Sequence, residues 1–451
     1  MTQHDVVILG GGPAGSTAAT LLAARGLDVL VLEKSQFPRF HIGESLLPGT
    51  VKIFERLGVH DRIRAAFVHK PGGKWLYGSR EVAGDFSKSD RKASFTATPY
   101  SYLVERSVFD EILIRRSIEA GADVRFGTEV RSTIVRDGRV VGVQGTDETG
   151  EFFEAFGRLV IDATGLRSLI SAGMGLRNIT KPQRMGIYAQ YCAQPGREDI
   201  ESGWFIGQMF YDGWTWLLKL SGNRYSVGAV MTVDRFRNSG KSPAELLEHL
   251  VQENDLLATG MADGYERISD VMVTGNMGST SEQLCGEGWV AVGDAAFFID
   301  PCYSSGVHLA MKSGEAIADL VAGAPRETPL PLSLFHQYEK DMRQHEKSVH
   351  RMVDAFYLAS RHTSVQKMVT TFQGGWLSRK FVTFVGGDFN ANSAFISRVR
   401  LYSEAVGRLF GNDSNRHPSN HPRYLHCDKD ELATRPRDSV EEVAATEEAL
   451  T

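Results

Sequence analysis

Gly10, Gly12 and Gly15 stand in a GxGxxG spacing, with Pro13 and Ala14 completing the turn. In such a turn the first glycine allows a tight bend and the second lets the backbone approach a pyrophosphate. The third lets the following helix pack close to the preceding strand. Phosphates then sit at the helix N-terminus, where N–H groups and the helix dipole favour anions. Glu33 lies 21 residues after Gly12, where a carboxylate accepts hydrogen bonds from a ribose. The surrounding pattern fits this chemistry. Residues 5–9 read as an apolar strand, 16–25 as a helix closed by Gly26, and 29–32 as a second buried strand. That order is a βαβ unit with a parallel sheet.

Two later segments narrow the dinucleotide. Ile161-Asp162-Ala163-Thr164-Gly165 and Gly293-Asp294-Ala295-Ala296 each end an apolar strand in a turn of small residues. Such turns allow close backbone approach to a flavin, and their acidic residues can bind ribityl hydroxyls. With these segments in order, the chain resembles the flavoprotein monooxygenase and halogenase superfamily over roughly residues 5–410. The motifs match at 10–15, 162–165 and 293–295, and Arg106 matches the arginine that family places near the flavin pyrophosphate. The resemblance implies FAD, held by Gly10, Gly12, Pro13, Ala14, Gly15, Glu33, Arg106, Asp162, Gly165, Gly293, Asp294 and Ala295. It adds Lys34, Arg39, Glu44, Ser45 and Val130 to the cofactor contacts.

Three features resemble the flavin-dependent halogenases, and among them the phenol/pyrrole branch. Phe298-Ile299-Asp300-Pro301-Cys302-Tyr303-Ser304-Ser305-Gly306 resembles their FxxPxxSxG motif. It puts Ser305 and Gly306 at a helix start, where backbone N–H groups can hold a halide. A plain N-cap by Ser304 or Ser305 is the competing reading, and both can hold at once. Lys70, in Val68-His69-Lys70-Pro71-Gly72-Gly73-Lys74, matches the lysine that halogenases place at the far end of a tunnel from the flavin. A buried amine has a lowered pKa and can accept halogen or hold hypohalous acid. Lys74 is the competitor for that role. Gly213-Trp214-Thr215-Trp216-Leu217-Leu218-Lys219 matches WxWxIP in both tryptophans and departs at Leu218 and Lys219. The resemblance gives Trp214 and Trp216 a gating role, with Pro301, Tyr303 and Ser304, in keeping substrate from the flavin. Core packing of a sheet is the alternative for the tryptophans. Tyr303 stands where indole halogenases carry a glutamate, which argues for a phenol or pyrrole ring.

The implied reaction uses FAD as FADH2, O2, and chloride or bromide. A flavin hydroperoxide would oxidise halide near Ser305 and Gly306 to hypohalous acid, and Lys70 would deliver the halogen to the ring. Expected partners are a separate NAD(P)H flavin reductase, since no second dinucleotide fingerprint is evident, and an aromatic small molecule, free or tethered to a carrier protein. Glu44 stands open between a general base and a structural role near the flavin. An aromatic hydroxylase shares every FAD motif and is the main rival. A prenyl-chain reductase and a non-catalytic FAD-binding partner protein are weaker ones.

The elements that must position these residues follow from length and pattern. The 451 residues exceed what one core supports. The implied class is α/β: an FAD-binding Rossmann-type parallel sheet with an inserted β-rich substrate domain and a C-terminal helical region. Residues 1–74, 103–180 and 284–325 are expected to form the FAD-binding domain, and 75–102 and 181–283 the β-rich domain. Strands are expected at 95–98 among others. Residues 326–411 read as the C-terminal helical region and 412–451 as a disordered tail. A net charge of -5 gives no case for nucleic acid, and no apolar run reaches the length of a membrane span. The first apolar stretch, 6–9, reads as a strand rather than an export signal. Four cysteines without a CxxC pair suggest neither disulfide framework nor metal site, so the cytoplasm is the expected compartment.

Overall fold

The structure is a computed structural model. It describes residues 3–77, 80–90, 92–93, 95, 97–194, 203–261, 264–325, 329–361 and 376–389, with 395, 397–399, 401 and 405. The expected tail at 412–451 lies outside these residues, as does Cys427.

The chain divides into two compact units. The first takes Met1–Phe67, Val104–Ile179 and Ser279–Lys347. Its sheet runs Cys285–Gly286, Trp289–Ala291, Phe152–Asp162, Gln3–Leu9, Val29–Leu32, Asp123–Arg125. Gln3–Leu9 is parallel to both neighbours, with Ile8 opposite Ile161 on one side and Val31 on the other. Buried on both faces, these strands are continuous apolar runs: Val6 to Leu9 and Val29 to Leu32 are shielded from solvent. Pro13 starts the helix Pro13–Ala23, where its missing N–H costs nothing. This helix is buried throughout and packs against the helix Gly306–Ala322. A Cβ on Gly314 would lie 2.4 Å from the Ala14 carbonyl oxygen, so the two backbones touch there.

The sequence suggests separate strands at 152–156 and 159–162. The structure joins them into one strand, Phe152–Asp162. Its first half pairs antiparallel with Arg139–Thr146 and its second half parallel with Gln3–Leu9. One strand thereby carries a hairpin onto the nucleotide sheet.

The second unit takes Val68–Leu103, Thr180–Gly278 and the chain from Ser348 onward. Its main sheet runs Tyr265–Arg267, Arg184–Ala193, Arg224–Thr232, Gly213–Lys219, Phe205–Phe210, Gly72–Tyr77, Arg80–Asp85. One face packs Ile187, Leu217, Val227 and Met231 against Leu246, Leu247, Leu250 and Leu257 of the helices Pro243–Glu253 and Asp255–Gly260. A capping box of Ser242 and Glu245 starts the first of these helices. A separate two-stranded ladder joins Val68–Lys70 to Ser101–Leu103.

Val68–Lys70 and Gly72–Gly73 group with the β-rich unit because their strand partners are there. Those pairings span more than 30 residues and leave no trace in local composition. Phe95 and Ala97 lie in turns rather than in a strand, with the Thr98 N–H bonded back to the Phe95 carbonyl. No helix among the described residues is long and apolar enough to cross a membrane. No disulfide joins Cys192, Cys285 and Cys302, and no metal-type cluster occurs among the described residues.

Candidate active site

The glycine turn has the shape a pyrophosphate needs. Gly10 adopts φ +99°, and a Cβ there would lie 2.5 Å from the Ala163 carbonyl oxygen. A Cβ on Gly15 would lie 2.0 Å from the Gly10 carbonyl oxygen. These two positions admit only glycine, because the strand end and helix start are in contact. Gly12 differs. Only the Arg39 guanidinium, at 3.6 Å, comes within reach of a Cβ there, so the space above it is open. It is the N-cap of the buried helix and makes no side-chain cap, which leaves the first N–H groups for an anion.

Glu33 is buried and braced. One carboxylate oxygen accepts from the Gly11 N–H at 2.7 Å, the other from the Ser35 N–H at 2.9 Å. A carboxylate has about four acceptor sites, so two remain for hydroxyls. Arg39 stands 3.9 Å from Glu33 and donates to Asp110 at 3.3 Å. Lys34 is exposed beside it. Val130 is buried in the strand Glu129–Arg136, opposite Gly145.

Arg106 begins the helix Arg106–Glu119 and is buried. Its guanidinium makes a two-pronged ion pair with Asp110, at 2.8 and 2.9 Å, and donates to the Ile42 carbonyl. Gly43, at φ +105°, makes room: a Cβ there would lie 2.8 Å from that guanidinium. Glu44 and Ser45 are buried next in the chain, and the Glu44 carbonyl accepts from the Val104 N–H.

The two acidic turns behave differently. Both Asp162 oxygens are taken by protein, one by the N–H and O–H of Thr164, the other by the Ile170 N–H at 2.8 Å. That carboxylate braces the turn through Gly165, and its burial raises its pKa. Asp294 is partly exposed. Burial pushes its carboxyl up to about 6, against the pull of the Arg106 and Arg177 charges. Gly293 and Ala295 are buried beside it, and the Gly293 N–H donates to Ser313 at 2.9 Å.

Ser305 and Gly306 sit at the start of the 17-residue helix Gly306–Ala322. Ser305 holds the N-cap position but makes no side-chain cap. Ser304, at φ +57°, instead meets the Ser45 hydroxyl at 2.9 Å. Neither serine therefore caps the helix, and its first N–H groups remain able to receive an anion. The nearest atom to a Cβ on Gly306 is an Asp294 oxygen, 4.0 Å away. Pro301 and Tyr303 lie in a short turn before this helix, with Tyr303 buried.

In the second unit, Lys70 ends the strand Val68–Lys70 and is 2% exposed. Its amine lies 5.3 Å from the Phe86 ring centre and 6.0 Å from that of Phe205. Burial brings its pKa down from 10.5 to about 7. Lys74, the competitor, is less buried and stands 3.9 Å from Glu81 and 5.0 Å over Trp204. Of the two lysines, Lys70 is the more deeply buried.

Trp214 and Trp216 alternate along Gly213–Lys219 and share the sheet face opposite the leucine-rich core. Across the strands Trp75, Gly207, Trp216, Gly228 and Tyr188 form one row of alternating large and small residues. A Cβ on Gly207 would lie 2.5 Å from the Trp75 ring, and one on Gly228 would lie 2.5 Å from the Trp216 ring. The indole N–H of Trp216 donates to Ser226 at 3.0 Å. Trp214 packs 5.5 Å from Trp75 and 5.4 Å from Trp216.

Asp110, Phe86 and Phe205 are site residues that sequence reasoning missed. Asp110 has a local signal, since it falls four residues after Arg106 on one helix face. The two rings reach Lys70 only through the fold.

A family model described as FAD binding domain matches residues 3–353. The 1H-pyrrole-2-carbonyl-[peptidyl-carrier protein] brominase of Pseudoalteromonas luteoviolacea is 32% identical over 71% of this chain and 78% of its own length. The structure of the flavin-dependent brominase Bmp2 superposes with a TM-score of 0.77 at 25% identity, covering 90% of this chain and 100% of the brominase. Digeranylgeranylglycerophospholipid reductase 2 of Methanopyrus kandleri is 30% identical over 75% of this chain and 81% of its length. The glycine cradle, the braced Glu33 and the buried Arg106–Asp110 pair all fit FAD. The chain belongs to the FAD-binding oxidoreductases and, within them, to the flavin-dependent halogenases.

Proposed function

We propose that this halogenase installs chlorine or bromine on an electron-rich pyrrole or phenol ring, with a carrier-tethered pyrrole as the leading substrate. The observation that carries the reading is Lys70, an amine shut away from solvent beside two aromatic rings, with its pKa brought down to about 7 by burial. A relative of matching length acts on a pyrrole-2-carbonyl group borne by a carrier protein. Tyr303, in place of a carboxylate, fits a ring that needs no external anion as halogen adds.

FAD, bound in its reduced form, would supply two electrons that activate O2, so that one oxygen atom ends in hypohalous acid with the oxidised halide and the other in water. The Gly12 turn and Arg106 would hold its pyrophosphate, and Glu33 its ribose. The N–H groups around Ser305 and Gly306 would hold the halide. Lys70, as a neutral amine, takes the halogen: its nitrogen bonds to halogen, the halogen–oxygen bond breaks, and the proton lost from nitrogen leaves with oxygen as water. The haloamine then passes halogen to the ring, and the ring proton returns to the amine. Trp214 and Trp216 would shape what the ring can approach. A separate flavin reductase supplies the electrons.

The test is a reconstituted reaction with a flavin reductase, NADH, bromide or chloride, and either pyrrole-2-carbonyl carrier protein or a set of free phenols. Halide-dependent product that vanishes in Lys70→Ala, with FAD still bound, supports the reading. Hydroxylated product whose yield ignores halide would identify a hydroxylase. Saturation of a prenyl-chain double bond would identify a reductase. FAD binding with no turnover under any condition would leave a binding protein.

A further inference from the structure

Lys70 and Ser101 are direct partners in the antiparallel ladder between Val68–Lys70 and Ser101–Leu103. Residues so paired project from the same face, with Cβ atoms about 4.5–5.5 Å apart. Ser101 is 0% exposed, and its hydroxyl has no hydrogen-bond partner among the described residues. A buried hydroxyl left in that state costs about 1–3 kcal/mol. An alanine would fill the same position on the strand without that cost. The described aromatic neighbours of the Lys70 amine, Phe86 and Phe205, offer no strong acceptor or donor. A small polar guest beside that amine could take a hydrogen bond from the unpartnered Ser101 hydroxyl.

We propose that Ser101 is a further catalytic residue, whose hydroxyl holds the oxygen of hypohalous acid while Lys70 takes the halogen. This rests on the Lys70 reading above. As the amine nitrogen bonds to halogen, the halogen–oxygen electron pair moves onto oxygen. The Ser101 hydroxyl donates a hydrogen bond to that oxygen as its negative charge grows, as donors in an oxyanion site do. The proton shed by the halogenated nitrogen completes a water molecule, and Ser101 is unchanged. The depressed pKa of Lys70 makes the required neutral amine available near pH 7.

The experiment needs no ring substrate. The FAD-loaded enzyme is given reduced flavin, oxygen and bromide, then desalted. Oxidising equivalents left on the protein are read by their conversion of iodide to iodine, and escaping hypobromous acid is trapped in solution by a β-diketone. Wild type, Lys70→Ala, Ser101→Ala and Ser101→Thr are compared, with FAD affinity and melting temperature for each. Ser101→Ala is expected to lower the protein-bound equivalents by about ten-fold or more, raise the trapped fraction, leave FAD affinity unchanged, and raise the melting temperature, since the orphaned hydroxyl is gone. Ser101→Thr, which keeps the hydroxyl, is expected to recover most of the bound fraction; if its extra methyl lowers the melting temperature, Ser101→Gly serves as a second hydroxyl-free variant and must match Ser101→Ala. Bound equivalents at the wild-type level in Ser101→Ala would overturn the proposal. So would a loss that merely tracks lost FAD or lost stability. If wild type and Lys70→Ala retain equal amounts, the lysine reading itself fails. If Lys70→Ala alone loses them, the lysine stands and Ser101 does not take part.

Discussion

Gly228 lies directly across the ladder from Trp216, and a Cβ on the glycine would sit 2.5 Å from the indole ring. The glycine is the seat of the ring. Gly228→Ala must push the indole away from Ser226 or move the strand. Such overpacking costs about 1–3 kcal/mol. The expected result is a lower melting temperature and a shifted tryptophan fluorescence maximum. Unchanged values of both would mean the ring has room that the structure does not show.

Lys70 gives a pH-dependent stability whose sign is fixed. Its pKa falls from 10.5 to about 7 on folding. Between those values the unfolded chain binds more protons than the folded one, so stability rises with pH across that window. Lys70→Met removes both the dependence and the burial cost. The variant should melt higher than wild type at pH 6, with the gain shrinking as pH approaches 10, while halogenation is lost. Melting curves across that range decide it, and parallel curves for the two proteins would contradict a buried, depressed amine.

Asp110 holds Arg106 by two hydrogen bonds in a buried pair. Asp110→Asn keeps the shape and removes the charge. Breaking one side of such a pair costs about 3–5 kcal/mol. We expect a lower melting temperature and FAD affinity reduced by about ten-fold or more, read by quenching of flavin fluorescence. Wild-type affinity would show that Arg106 keeps its position without the carboxylate.

Gly306 has open space, with the nearest atom to an added Cβ 4.0 Å away. Gly306→Ala should therefore fold well and gain about 0.4–1 kcal/mol as a helix residue. A methyl group there would crowd a halide at the helix start. The halide concentration for half-maximal rate should rise several-fold with FAD binding intact, and an unchanged halide dependence would take Gly306 out of the halide site.

The nucleotide half of the fold was legible because its signals are local. The turn at 10–15, the helix after it and the strand Val29–Leu32 all lie within 33 residues and obey tight spacing. Arg106 was legible by resemblance, but its partner Asp110 was not. The helix begins at Arg106, and that start puts both residues on one face. Lys70 was legible by resemblance alone, since nothing in Val68-His69-Lys70 announces burial. Its neighbours Phe86, Ser101 and Phe205 come from three other segments, joined by strand register. That register is set by pairing across tens of residues, which periodicity does not encode. The two-part strand Phe152–Asp162 was split for a related reason. A change of neighbour halfway along a strand alters its burial pattern without altering its backbone.

The backbone contact at Gly314 and Ala14 fixes more than a packing distance. In the function proposed above, both helices would offer their leading ends to anions, one to a diphosphate and the other to a halide. Locked where Ala14, near the start of one helix, meets Gly314, midway along the other, they cannot slide, so the gap between the two anions would become a constant of the molecule, as in a fixed gauge. A bulkier side chain at 314 would reset that gauge, and the error would reach both anions at once although the altered residue touches neither.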